Sequence, residues 1–235
     1  MAYLTSTDVT LGASGFDVNI GGMNGPARPA SARRAYGGVS ELERRQARRE
    51  RLLDAGLEII GTQGYTAATL RAVCAQAGLT ERYFYESFAN REALLAGVHA
   101  RLIEELRAAL TQAFSAGEPS AQARARAGLA VFFGMLRADP RKSRVLLFEV
   151  LGVSPELDRQ HQQAAQVFLR FVIEAFRPVM GQRLPEQASE SMVFTGLVGG
   201  VFQVAIRWHL GGYHLPVSRV VESCLVLFRA LSREG

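Results

Sequence analysis

The segment Thr69–Phe88 limits what this chain can fold into more than any other. It reads Thr-Leu-Arg-Ala-Val-Cys-Ala-Gln-Ala-Gly-Leu-Thr-Glu-Arg-Tyr-Phe-Tyr-Glu-Ser-Phe. Thr69 is an N-cap residue type, and Leu70, Val73, Cys74 and Ala77 give the next two turns one apolar face. Gly78 supplies the positive φ of a tight turn. Leu79 then plugs the space between two helices, Thr80 caps the second, and Phe84 and Phe88 recur at i, i+4 on its inner side. Two short helices joined by a glycine-containing turn form a helix-turn-helix. The second helix of such a motif lays its N-terminal residues on base edges in the major groove.

The flanking sequence is helical in the same way. Ser40 and Glu43 make a capping box, and Leu53, Leu57 and Ile60 follow at i, i+4, i+7 until Gly61 and Gly64 stop the helix. Asn90, Asp139 and Ser154 are further N-caps, the last two each followed by proline at the first helical position. No stretch alternates with the period of a strand. The expected fold is all-α, with about nine helices. A three-helix helix-turn-helix domain spans residues 39–89, and a six-helix ligand-binding and dimerisation domain spans 90–235. Residues 1–38, rich in Gly, Ala and Ser and basic at Arg28, Arg33 and Arg34, read as a flexible arm.

Charge points the same way. The formal net charge is +5, and all but one of the 27 basic residues are arginine, the exception being Lys142. Arginine forks suit phosphates and guanine edges, although a GC-rich coding sequence gives the same ratio. Cys74 and Cys224 stand apart among apolar neighbours, and the four histidines do not cluster with cysteines or acids, so no metal or cofactor is expected. The first residues carry no secretory pattern. The apolar run Ser191–Ile206 falls short of the ~20 residues of a membrane span. The expected location is the cytoplasm, with no membrane partner. No phosphate loop or nucleophile elbow is present, so no enzyme is expected.

In the order of its motifs the chain resembles the TetR/AcrR family of transcriptional regulators. Gly64-Tyr65, Thr69, Ala77-Gly78-Leu79-Thr80, Phe84-Tyr85-Glu86-Ser87-Phe88 and Arg91-Glu92-Ala93-Leu94 follow that family's pattern across Arg51–Leu95. The resemblance implies a homodimeric repressor on a near-palindromic double-stranded operator. It further implies that Thr69, Tyr85 and Arg91 contact phosphate, and that Thr80, Glu81, Arg82 and Tyr83 front the reading helix. Arg82 is suited to guanine. Arg33 and Arg34 of the arm are candidates for the adjacent minor groove. The bulk of Arg82 and Tyr83 departs from the small residues common there, which leaves the operator sequence open.

The second lobe is expected to hold an apolar small molecule among Phe132, Leu136, Phe148, Phe168, Phe171, Phe202 and Trp208, oriented by Gln203. Few charges lie in these segments, which argues against a charged ligand. The last two helices are the expected dimer interface, through Gly196 and Gly200, whose spacing admits close helix approach, and Val217, Val221, Leu225 and Phe228. A regulator answering to a protein partner is the alternative.

Overall fold

The computed structural model describes residues 40–179 and 187–232. Among these, nine α-helices and no strand are present. Helix α1, Glu41–Gln63, starts at the expected capping box: Glu43 N–H donates to Ser40 Oγ (3.2 Å) and Ser40 N–H to the Glu43 carboxylate (2.6 Å). It ends at Gly64, where φ is +93°. Gly61, expected as a stop, instead lies inside the helix. A Cβ there would collide with the Cβ and backbone of Arg141, so this glycine serves close packing.

A 3-10 turn, Tyr65–Ala67, leads into α2 (Leu70–Ala77) and α3 (Glu81–Tyr85). Helix α4, Arg91–Ala116, begins at Asn90, whose side chain accepts from Ala93 N–H at 2.8 Å. Its buried stripe, Leu94, Leu95, Val98, His99, Leu102, Leu106 and Leu110, runs almost its whole length. The upper part packs on α1, the lower on α5 and α7. Each buried leucine contributes about 1.5–3 kcal/mol relative to exposure, so the stripe fixes the helix as one rod through both lobes.

Helix α5 is Ala121–Ala138 and α6 is Pro140–Arg144, the latter capped by Asp139 with proline at its first position. α6 widens directly into a π-helical turn, Val145–Glu149. Such turns occur mostly as short insertions, often at functional sites. Helix α7, Pro155–Phe176, is capped by Ser154 and closes in a 3-10 turn, Arg177–Val179, containing Pro178. Helices α8 (Glu190–Leu210) and α9 (Val217–Ser232) complete the fold. One apolar core links α1–α5 and α7–α9, from Leu53, Val73 and Phe84 to Phe176, Phe194 and Leu225.

Candidate nucleic-acid interface and apolar cavity

The helix-turn-helix is built as its residues dictate. Gly78 adopts φ +60°, ψ +40°, and Leu79 N–H closes the turn onto the Cys74 carbonyl at 2.9 Å. Phe84 is fully buried, and its ring centre lies 5.8 Å from that of Phe88. Thr69 caps α2, its hydroxyl oxygen accepting from Ala72 N–H at 3.2 Å. The hydroxyl proton is then left to donate outward. Thr80 stands at the N-cap of α3, but its side chain makes no cap hydrogen bond, contrary to expectation. The backbone carbonyl alone starts the helix, accepting from Tyr83 and Phe84 N–H.

Thr80, Glu81 and Arg82 are exposed at the front of α3. The Arg82 side chain is 85% exposed, its Nε 3.6 Å from the Glu86 carboxylate. Tyr83 is half-buried beneath Arg48, whose guanidinium lies 4.5 Å from the ring centre. Thr69, Tyr85 and Arg91 come together around a surface cleft of about 290 Å³, with Leu70, Ala89 and Asn90. The N-termini of α2 and α4 open beside it. Two hydroxyls, a guanidinium and two helix N-termini are the equipment of a phosphate site. Arg91 keeps its guanidinium 5.3 Å from the Tyr65 ring. Arg33 and Arg34 lie outside the described residues.

The arginines of α1 have a role that their charge alone did not disclose. Arg51 donates to the carbonyls of Ala77 (2.5 Å) and Gly78 (3.3 Å), Arg45 to that of Glu86 (2.8 Å) and Arg49 to that of Ser87 (3.0 Å). These carbonyls end α2 and α3, where a helix leaves acceptors unpaired and carries partial negative charge. The basic run therefore clamps the reading head onto α1. Its i, i+4 spacing at Arg45 and Arg49 was the available signal.

A second cluster joins the lobes. Arg141 pairs with Asp139 (2.7 Å) and with Glu58 of α1 (2.5 Å). Arg144 donates to the Thr62 carbonyl at 2.9 Å and pairs with Glu149.

The second lobe holds an apolar cavity of about 80 Å³ lined from α4, α5, α7 and α8 and by Phe228 of α9. Phe132, Phe168 and Phe202 line it, together with Leu106, Leu110, Phe114 and Phe176. The last four extend the stripes of α4 and α7 and were legible as such. Phe171 backs this wall, its ring 6.5 Å from Phe114 and 6.1 Å from Phe168.

Four other expected ligand residues lie elsewhere. Leu136 is fully buried in the core, and Phe148 packs on His209 at 5.1 Å. Gln203 is exposed on the outer face of α8. Trp208 packs on Phe133 and Tyr213, and its indole N–H donates to the Leu215 carbonyl at 2.9 Å. The turn after α8 claims its polar edge.

Helix α8 has two unlike faces. Phe194, Leu197, Val201, Ala205 and Trp208 point into the core. Met192, Gly196, Gly199, Gln203 and Leu210 form the opposite stripe and are exposed, Met192 to 71% and Leu210 to 72%. A Cβ at Gly196 or Gly199 would meet nothing within 4 Å, and one at Gly200 would meet only Leu227, at 3.7 Å. On α9 the expected interface residues Val221 and Leu225 are instead buried, in the helix's extensive packing on α5. Val217 and Phe228 are half-buried against the same core, while Val226 and Leu227 are exposed. By length and composition α8 is also apolar enough to cross a membrane, a longer span than Ser191–Ile206 alone gives.

Comparison with known proteins agrees with this architecture. The chain is 25% identical over 190 residues to the HTH-type transcriptional activator FasR of Mycolicibacterium smegmatis, an overlap of 81% of this chain and 83% of that protein. The fold matches the fatty acid degradation regulator FadR of Bacillus halodurans with a TM-score of 0.69, at 15% identity over 77% of this chain and 93% of that one. FadR of Bacillus subtilis, in complex with stearoyl-CoA, matches with a TM-score of 0.68 at 16% identity over 76% and 96% of the two chains. These proteins are transcription regulators, not enzymes. Residues 52–98, from the buried half of α1 through the second turn of α4, match the family described as bacterial regulatory proteins, tetR family.

Proposed function

We propose that this regulator is a homodimeric repressor that binds a near-palindromic operator and is released from it by an apolar small molecule. The observation that carries the reading is the course of α4. Its first residues, Asn90 and Arg91, border the cleft of phosphate-type groups, and Leu106 and Leu110 farther along line the apolar cavity. One rigid helix therefore has both sites on it. Thr69, Tyr85 and Arg91 hold phosphate and set register, and Thr80, Glu81 and Arg82 read bases. Two such heads read successive major grooves when about 34–36 Å apart.

The dimer forms through the outward stripe of α8 and the exposed apolar residues of α9. An apolar stripe with two open glycines suits a second copy of the same helix, in an isologous contact.

The cavity, at about 80 Å³, is well below the several hundred Å³ of a typical ligand pocket. A ligand enters by parting the helices around it, and α4 is one of those helices. The binding of stearoyl-CoA by a protein of this fold supports a ligand with a long apolar chain. By linkage, ligand and operator weaken each other by one factor, ordinarily 5- to 150-fold for a coupling of about 1–3 kcal/mol. The test is a mobility shift on promoter DNA beside the gene, over a range of salt, with and without apolar compounds. Binding that no compound weakens overturns ligand release and leaves the operator reading standing.

A further inference from the structure

We propose that Arg124 is the head-group site of the apolar cavity, and that the ligand is a single-chain amphiphile ending in a carboxylate. The proposal rests on the ligand reading above and adds the chemistry of the head.

Arg124 lies one turn into α5, and the next residues of that helix, Ala125 and Gly128, line the cavity. Its guanidinium is 5.6 Å from the centre of the Phe114 ring and donates through Nη1 to the carbonyl of Ala175, the neighbour of Phe176. Phe114 and Phe176 are both cavity walls. The group thus lies beside one wall ring, Phe114, and is hydrogen-bonded to the backbone next to another, Phe176.

Its charge and donors are not used up there. The neighbouring Arg126 pairs with Glu222, and Arg177 at the end of α7 pairs with Glu190. Arg124 has no carboxylate partner among the described residues. Its Nε–H is sealed from solvent and has no hydrogen-bond acceptor. A buried donor on a cation without counter-charge is costly, and the cost disappears when an anion arrives. A carboxylate is planar and can take the Nε edge of the fork bidentately, with shorter and stronger bonds than a neutral acceptor gives.

The rest of the cavity is apolar, which suits an alkyl chain running away from Arg124 past Leu110 toward Val201. The scarcity of charge that disfavours an ionic ligand in these segments applies to the chain, not to the head. An alcohol of the same length leaves the Nε–H poorly satisfied, and an alkylammonium places like charges together.

The experiment is calorimetric titration of the full-length protein with dodecanoate, dodecan-1-ol and dodecylammonium. Dodecanoate is expected to bind at least about tenfold more tightly than dodecanol, a difference of ~1.4 kcal/mol, with dodecylammonium weakest. Arg124→Gln is expected to bring dodecanoate down to the level of dodecanol while leaving dodecanol unchanged, which also certifies the fold. Arg126→Gln, at the same end of α5, is expected to keep the full preference. Should Arg124→Gln fail to fold, Arg124→Lys retains charge without the fork and is expected to give an intermediate preference. Equal affinity of wild type for dodecanoate and dodecanol overturns the head-group site and leaves the apolar cavity intact. So does a preference that survives in Arg124→Gln, or one lost in Arg126→Gln. Failure of all three probes overturns the ligand reading itself.

Discussion

The carboxylate of Glu149 accepts a hydrogen bond from the backbone N–H of Tyr65 at 2.7 Å, joining the π-helical turn of the second lobe to the segment that enters the helix-turn-helix. The same carboxylate pairs with Arg144, which reaches the Thr62 carbonyl at the end of α1. Gly64 lies between these contacts, and a Cβ on it would stand 2.8 Å from Arg144 Nη2. The reading head is thus held by α4, by the Arg141–Glu58 pair and by this polar seam.

Glu149→Ala leaves the Tyr65 N–H and the Arg144 guanidinium short of a partner. The expected loss of stability is about 1–3 kcal/mol, read from urea denaturation midpoints. If the seam carries part of the signal, reciprocal titrations of operator and ligand will show a smaller mutual effect in this variant. An unchanged coupling with lowered stability assigns the whole signal to α4.

The arginines of the first lobe divide into clamps and proposed DNA contacts, and their variants should differ in kind. Arg51→Ala removes the donor to the Ala77 and Gly78 carbonyls. It is expected to cost ~1–2 kcal/mol of stability with base preference unchanged. Arg82→Ala is expected to relax base preference with little effect on stability, since its side chain is exposed. Tyr85→Phe and Arg91→Ala are expected to weaken binding on every sequence, Arg91→Ala also lowering the salt slope by about one. Equal loss on all sequences for Arg82→Ala would remove it from base readout.

The split between what the sequence disclosed and what it hid follows from the range of the interactions. Caps, the Gly78 turn and the inner faces of α2 and α3 depend on residues within a turn or two, and Ser40, Thr69, Asn90, Asp139 and Ser154 all cap as their types demand. Thr80 does not, and α3 starts on its backbone carbonyl alone. The cavity was only half legible. Every aromatic on an amphipathic helix looks alike until the helices are packed, so Trp208 and Phe148 could not be told from Phe114 and Phe176. On α9 the expected interface residues Val221 and Leu225 are covered by the protein's own core. Val221 and Leu225 mark an apolar face, but periodicity does not say whether α5 or a second chain covers it.

A histidine in the core makes stability depend on pH. His99 lies on the inner face of α4, its ring 5.1 Å from that of His161 on α7. Burial, with a smaller contribution from His161, pushes the His99 pKa down to about 4. Burial also lowers His161 and His209. In the unfolded chain histidine titrates near 6.5 and so takes up protons that the folded chain refuses. The unfolded state then binds more protons between about pH 6.5 and 4, and stability falls as pH falls through that window. The His99 share is about 3 kcal/mol across the full window. Urea midpoints measured from pH 7.5 to 4.5 should show this fall, and His99→Phe should flatten it by about one proton's worth of slope. A variant as steep as wild type would place the dependence elsewhere.

The two open glycines of α8 allow the fold of the protomer to be separated from its assembly. A side chain at Gly199 meets nothing within 4 Å in its own chain. Replacing glycine inside a helix also removes a propensity cost of roughly 0.5–1 kcal/mol. Gly199→Glu is therefore expected to leave the protomer folded and no less stable. In an isologous dimer through this stripe, however, the two carboxylates would face each other across a close helix contact, with neither space nor counter-charge. The expected result is a monomer by light scattering at micromolar concentration, with helical content retained. Operator affinity should fall by orders of magnitude, because the second reading head loses the high effective concentration that pairing gives it. Leu225→Ala is the contrasting variant. Its side chain is fully buried against its own core. It should cost about 2–5 kcal/mol in protomer stability through the cavity it leaves. A Gly199→Glu protein that remained a dimer with full operator affinity would show that this stripe of α8 is not the dimer contact.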